Sequence, residues 1–369
     1  IFDSSVAYMT SAYNTGWMHG DIKLATLSDT DDTDAVFTEL AANSSFNTSS
    51  DWTLGSGWSI SGGQALKTTN DNNSISQLVS GLDTSRTYVF EVDVATGSSS
   101  IYFYFNGSYS IAISGTGKQS VTFKPNSTSI EIGVTGITGN GTVLNSISFS
   151  LAEEDRSLNG NGLQVFGTVT KTPVATGADL VAYSGFGNGN YLHQPYNSDL
   201  DFGTGTFSIT TWAKIPGVNS YSPTLVDRHV LNQARILLYA EYGNQQPRIY
   251  IAHTNGSTST YVTGPTPIDD GKWHCWHANR RGNGELELWI DGVKVAYGGI
   301  GVDSISVSTN GPTIIGNDYT GGGTGYMNGD MALTRISATA PSAEQIKKIY
   351  EDEKVLFQEN AKATLYGSS

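Results

Sequence analysis

Apolar and polar residues alternate with a period of two along most of this chain, and only its last thirty residues repeat at the helical period. The alternation is clearest over Gly271–Val295, which reads G-K-W-H-C-W-H-A-N-R-R-G-N-G-E-L-E-L-W-I-D-G-V-K-V. Two β-type runs flank Gly282-Asn283-Gly284, and a second tight turn falls at Asp291-Gly292, which predicts three strands joined by two turns. Leu286, Leu288 and Ile290 then share one face of the sheet, and Glu285, Glu287, Trp289 and Asp291 share the other.

The same pattern divides the chain. Residues 1–36 hold one alternating strand, Asp21–Ser28, and then the acidic run Asp29-Thr-Asp-Asp-Thr-Asp34, and form a connector from a preceding region. As an EF-hand loop that run fails twice, with Asp34 at the glycine position and Leu40 where the bidentate Glu belongs, so a solvated acidic segment is expected. Residues 37–152 carry short strand candidates every 8 to 12 residues, among them Trp58–Ile60, Tyr88–Val94, Ile101–Phe105 and Ser129–Val134, separated by Gly, Asn, Asp or Ser. That spacing predicts a jelly-roll sandwich. Residues 153–175 read as a linker with one strand, Leu163–Thr170, ahead of Pro173, and residues 176–340 as a second sandwich. In 341–369, Ser342 and Gln345 form a capping box before an apolar stripe of Ile346, Ile349, Tyr350, Leu356 and Phe357, which predicts a C-terminal α-helix and a short tail. The fold class is all-β: two tandem antiparallel β-sandwiches with a C-terminal helix.

Composition narrows the functional classes. The 369 residues include 43 Gly and 19 Tyr, only 15% are charged, and the formal net charge is -14. The longest basic clusters are Arg280-Arg281 and Lys347-Lys348, so nucleic acid is not an expected partner. One cysteine, Cys275, excludes an intrachain disulfide framework, and no apolar run approaches the 18 or so residues that membrane insertion needs.

Sugar recognition needs flat aromatic faces for C–H groups and planar polar groups for hydroxyls, set on loops or an open sheet face. Period two puts Tyr102 and Tyr104 on one side of Ile101–Phe105, opposite Phe103 and Phe105. Trp52 and Trp58 either serve likewise or fill the core. The loop Gly316–Tyr326, with Asn317, Tyr319 and Tyr326, and the turn carrying Tyr242 have the same makeup. Catalysis has weaker support. Glu91-Val-Asp93-Val-Ala-Thr96 lacks the second Glu of a retaining glucanase strand, and Glu285-Leu-Glu287 reads as the polar outer face of a hairpin, so no catalytic residue is assigned. In His274-Cys275-Trp276-His277, alternation puts His274 and Trp276 on one face of a strand and Cys275 and His277 on the other, and two ligands on one face are too few for a closed zinc site.

Two family resemblances follow from these motifs. Phe46, Asp51-Trp52, Gly57-Trp58-Ser59-Ile60-Ser61-Gly62-Gly63 and Tyr88–Asp93 resemble jelly-roll carbohydrate-binding modules. Asn190-Tyr191-Leu192, Asp199–Lys214, the Gly271–Val295 hairpins, Thr313–Gly316 and Gly329-Asp330-Met331 resemble laminin-G-like (concanavalin A-like lectin/glucanase) domains. The laminin-G-like likeness implies calcium in rim loops, for which Asp227 and Asp318 are the candidate ligands, although Ala332 and Leu333 stand where the family often has an acidic pair. Thr172–Gly185, T-P-V-A-T-G-A-D-L-V-A-Y-S-G, is similar to a linker phrase of bacteriophage tail-fibre and other virion proteins. That likeness, together with a start at Ile1 and a tail resembling a lead into further repeats, implies a fragment of an extracellular virion protein. It would be homotrimeric, with the C-terminal stripe between chains, and would meet other virion proteins and a host cell-surface polysaccharide. The function expected is non-catalytic glycan binding. The alternatives are an accessory region of a polysaccharide-degrading enzyme and a purely structural virion component.

Overall fold

The computed structural model describes residues 6–10, 21–97, 101–106, 108–113, 115–136, 140–157, 159–217, 222–230, 233–253, 258–299, 306–318 and 325–366. Among the described residues the protein is all-β apart from the helix Ala343–Glu353 and short 3-10 turns. It forms two compact units, residues 37–152 and residues 1–36 with 153–369. Among the described residues no helix is long and apolar enough to cross a membrane.

In the smaller unit, five antiparallel strands run in the order Ser108–Ile113, Ile101–Phe105, Ser129–Gly136, Ile75–Ser80 and Thr53–Leu54. A second sheet pairs Gly117–Phe123, Tyr88–Thr96 and Val143–Glu153, with the hairpin Trp58–Ser61/Gln64–Lys67 against its end. Phe90, Phe103, Phe149 and Ile132 close the core between them. Alternation marks the strands that bury one face, such as Gln64–Lys67 and Ile101–Phe105, whereas Tyr88–Val92 is buried on both faces.

The larger unit is a sandwich of two antiparallel sheets. The front sheet runs Leu163–Phe166, Tyr191–Gln194, Thr313–Ile315, Thr224–His229, Arg235–Ala240, Pro247–Ala252 and Ser259–Thr263. The back sheet runs Val293–Gly298, Leu286–Ile290, Trp273–Arg280, Phe207–Lys214, Asp330–Ser337, Val181–Ser184, Thr168–Pro173 and Ala35–Val36, and Ile22–Thr26 pairs beside Asp330–Ser337. Leu225, Leu238, Ile249, Trp276, Leu286 and Leu288 meet in the core.

Two sequence boundaries are corrected by this pairing. The segments read as connector (1–36) and linker (153–175) supply strands to the larger sandwich, so the smaller unit is inserted in its sequence. The acidic run is not wholly solvated either. Lys171 donates from its backbone N to Asp34 (2.9 Å) and from Nζ to Asp29 (2.8 Å) and Glu153 (3.0 Å), and the Tyr183 hydroxyl donates to Glu153 at 2.7 Å.

The helix forms the third layer. Ser342 Oγ accepts from the Gln345 backbone and the Gln345 side chain accepts from Ser342 N, which completes the capping box. Trp212 stacks on Phe357 at 4.2 Å between ring centroids and on Tyr350 at 5.8 Å, and Ile346, Ile349 and Leu356 are buried. The stripe expected between chains is therefore consumed within this one. Ala332 and Leu333 lie in the same apolar layer. Cys275 is buried there too, and burial, reinforced by Glu353, pushes its thiol pKa well up. The thiol is expected to be inert to a disulfide reagent such as DTNB in the native protein and to titrate one equivalent in denaturant. Stoichiometric labelling before unfolding would contradict that placement.

Candidate functional site

The residues on the side of the front sheet away from the core line up in register across seven strands, and four of them, Gln164, Ile314, Asp227 and Leu237, are buried while His193, Tyr250 and Tyr261 reach the surface. Gln164 pairs with His193, His193 with Ile314, Ile314 with Asp227, Asp227 with Leu237, Leu237 with Tyr250 and Tyr250 with Tyr261. In a β-sheet such paired positions put their side chains on one face, so this is one continuous row. Phe166 and Tyr191 stand on one side of it, stacked at 4.5 Å, with Tyr239 and Arg248 farther along. His229 and Arg235 stand on the other side. The strands place these groups outward because Leu225, Ile236, Leu238, Ile249, Ile251 and Val262 alternate into the core.

Arg235 fixes the polar centre. Its Nε and Nη2 hold Asp227 Oδ1 and Oδ2 at 2.9 and 2.8 Å, a bidentate pair on a carboxylate with no exposed surface. Burial works against the guanidinium's charge, but Asp227 overrides it, with smaller help from Asp318 and Tyr250, so its pKa is raised. At His229, burial is the main influence and keeps the imidazole pKa below its ordinary value, with Asp227 and Asp318 opposing and Arg235 adding. That imidazole is neutral at pH 7, able to donate and accept at once. Asp318 thus lies within electrostatic reach of the same cluster, at the edge of the loop entered through Gly316. Gly316 has φ +81, and a Cβ there would sit 2.1 Å from the Phe186 ring, so only glycine lets the chain turn at this point.

The residues singled out in the sequence separate into four groups. Trp52 and Trp58, both 6% exposed, belong to the core of the smaller unit. Their indole N–H groups donate to the Asn43 and Asn73 carbonyls at 3.0 and 2.9 Å, so they offer no face to a ligand and are withdrawn as site residues. Asn317 is corrected as well. It is buried, donates to the Gly187 and Asn188 carbonyls and accepts from Asp318 N, which makes it a clamp for the loop. Asp227 is corrected as a metal ligand, because the Arg235 guanidinium occupies the place a cation would take. Among the described residues no three His, Cys, Asp or Glu side chains gather into a metal-sized group.

Tyr102 and Tyr104 do lie outward, half-buried, and the Tyr104 hydroxyl donates to Glu131 at 3.3 Å. Gly133, paired with Tyr104 on one side and Ser76 on the other, leaves bare backbone beside them. Tyr242 projects from the turn after Arg235–Ala240 and is 66% exposed, and Tyr326 is half-buried. Tyr319 lies outside the described residues.

The hairpins Trp273–Arg280 and Leu286–Ile290 carry scaffold chemistry. Glu287 accepts from Arg281 (2.6 and 2.9 Å), Lys294 (3.1 Å), Asn279 (3.2 Å) and Trp289 (3.3 Å). Burial alone would raise its pKa, but those donors bring it down to about 2. A carboxylate ionised and saturated in this way is no general acid. His274 bridges Asp291 (2.7 Å) and Asp270 (3.1 Å), and the Asp291 bond, against burial, raises its pKa.

The family model described as the concanavalin A-like lectin/glucanases superfamily matches residues 186–347, which cover most of both sheets. No curated protein matches the chain. Among solved structures, the binding domain of Paraclostridial Mosquitocidal Protein 1 is 14% identical, with a TM-score of 0.44 over 54% of this chain and 49% of that one. The match therefore spans about half of that domain's length. Domain 4 of AbnA, an extracellular arabinanase of Geobacillus stearothermophilus in complex with arabinotriose, is 15% identical, with a TM-score of 0.42 over 53% of this chain and 92% of that one. The Ruminococcus gnavus IT-sialidase CBM40 is 13% identical, with a TM-score of 0.34 over 40% of this chain and 84% of that one.

Proposed function

We propose that this protein binds a neutral glycan without cleaving it, and that the outer face of the front sheet is the principal site. The observation that carries this reading is the in-register row from His193 to Tyr261, in which tyrosine rings stand beside an Arg–Asp pair and a neutral histidine. Rings of that kind stack on the C–H faces of sugars, and the planar groups suit vicinal hydroxyls. Arg235 is paired with Asp227 and Arg248 with Glu241, so among the described residues of this face both arginines are already neutralised. A retaining glycosidase needs two carboxyl groups about 5 Å apart and open to substrate. The bidentate grip of Arg235 closes Asp227 to that role.

The setting we propose is extracellular adhesion, as in a phage host-contact fibre whose partner is a host cell-surface polysaccharide. The phrase Thr172–Gly185 supports this setting, and the flanking sequence of the full-length protein tests it. The binding itself is tested on a glycan array. Tyr250→Ala, a change at a half-buried surface ring, is expected to keep the fold and weaken binding to any hit by about tenfold or more. Unchanged binding in the folded variant would remove the front sheet as the site. Release of reducing ends from a bound polysaccharide would replace binding by hydrolysis, and a blank array would leave a structural role.

A further inference from the structure

The two sheets of the larger unit end side by side in the edge strands Ser259–Thr263 and Val293–Gly298, and a lateral cleft of about 450 Å³ lies between them. Its lips are Tyr261, 55% exposed, and Tyr297, 66% exposed, with Val295 and Val262 between. Exposed tyrosines are usually mobile, but both of these are backed by a cation. The Arg248 guanidinium lies 4.3 Å from the Tyr261 ring, held there by Thr263 (2.7 Å) and Glu241 (2.6 Å). Lys294 Nζ lies 5.3 Å from the Tyr297 ring and pairs with Glu287 at 3.1 Å. Each ring therefore has a supported face and an open one; Arg248 is paired with Glu241, and Lys294 shares Glu287 with Arg281.

We infer that this cleft is a second subsite for neutral sugar, stacking one or more rings on Tyr261 and Tyr297. An added peptide strand is the competing occupant of two open edges, but it needs about 4.8 Å of lateral clearance. At the base of the cleft the two strands are too close for that. A Cβ on Gly264 would lie 3.2 Å from Val295, and one on Gly298 would lie 3.3 Å from Val262. A sugar ring on the outer lips needs no such gap, and the volume falls within the range of about 300–1,000 Å³ usual for small-ligand clefts. The inference rests on the reading of the front sheet as a glycan site. Tyr261 ends the cross-sheet row, so a polymer lying along the row runs off it into the cleft.

The test is affinity electrophoresis of the whole chain and of Tyr297→Ala and Tyr250→Ala in gels containing dextran, galactomannan, laminarin or arabinan, with circular dichroism to confirm folding. In a gel that retards the parent protein, Tyr297→Ala is expected to weaken binding by about tenfold. A Tyr297→Ala mobility equal to that of the parent, in a gel where Tyr250→Ala runs free, overturns the cleft and keeps the sheet face. Loss in Tyr297→Ala alone supports the cleft and overturns the sheet face. No retardation of the parent in any of the four gels overturns both.

Discussion

Replacing Arg335 by alanine is expected to cost the larger unit about 3–5 kcal/mol, because it strands a buried carboxylate. Arg335 and Glu353 pair at 2.7 Å with side chains 3% and 0% exposed, and the Trp212 indole N–H donates to the other oxygen of Glu353 at 2.6 Å. Burial raises the Glu353 pKa, and Arg335 and Trp212 oppose it. Without the guanidinium the group must take up a proton or leave the layer, and leaving would pull the helix away from Trp212. Urea unfolding followed by tryptophan fluorescence measures the loss, and a cost below about 1 kcal/mol would show that the pair does not hold the helix. Arg335→Met combined with Glu353→Leu should recover part of the stability, since apolar groups of similar volume can replace such pairs, less about 1–3 kcal/mol for the Trp212 N–H left without its acceptor.

That pair also marks what local sequence can and cannot reveal. The helix was legible because Ser342, Gln345 and the apolar stripe lie within sixteen residues. Its docking face was not, because Arg335 and Leu333 lie just upstream of the helix but Trp212 comes from a strand 141 residues before Glu353. The strand Ile22–Thr26 shows the same limit. Its alternation was plain, but its partner, Asp330–Ser337, lies some 300 residues downstream, and period two names a face without naming a neighbour. A connector was the natural reading of an isolated strand, and an insertion becomes visible only once both flanking segments find their places in the sheets.

The candidate site was dispersed in the same way. Arg235-Ile-Leu-Leu-Tyr239 and Arg248-Ile-Tyr-Ile251 carry arginine and tyrosine at alternate positions, a pattern that marks a polar, aromatic outer face. Each run alone has the pattern of any half-buried strand, so neither marks a site by itself. Loop composition points to Asp318 and Tyr326 and not to the sheet they border. For Trp58, alternation already held the answer, since it shares the side of Ile60, and both turn inward while Ser59 and Ser61 stay exposed.

Between pH 7 and pH 4 the larger unit is expected to lose on the order of 3 kcal/mol through His277 alone. This imidazole lies in the back sheet, fully enclosed, with Nδ1 2.6 Å from the Thr210 hydroxyl and Nε2 2.7 Å from Asn279 Oδ1. Asn279 Nδ2 donates to Glu287, so its carbonyl faces His277 and accepts from Nε2–H, which leaves Nδ1 to accept from Thr210. Both bonds suit the neutral ring. Burial, with Arg335 and Arg281 nearby, lowers the pKa from 6.5 to about 4. As pH falls below about 6.5 the unfolded chain binds a proton that the folded protein refuses until about pH 4. The contribution is therefore complete above pH 6.5 and gone below pH 4. His274 acts in the opposite sense. Its raised pKa gives stability that is present in acid and lost as pH rises through the folded value. The contrast that isolates His277 is thus parent against His277→Gln, which keeps a donor and an acceptor and does not titrate. Denaturation free energies at pH 7, 6, 5 and 4 should show the difference between the two shrinking by about 1.4 kcal/mol per pH unit below 6.5. A difference that stays constant across that range would mean the folded ring takes up its proton as readily as the unfolded one, and the neutral Thr210–His277–Asn279 chain would have to be redrawn.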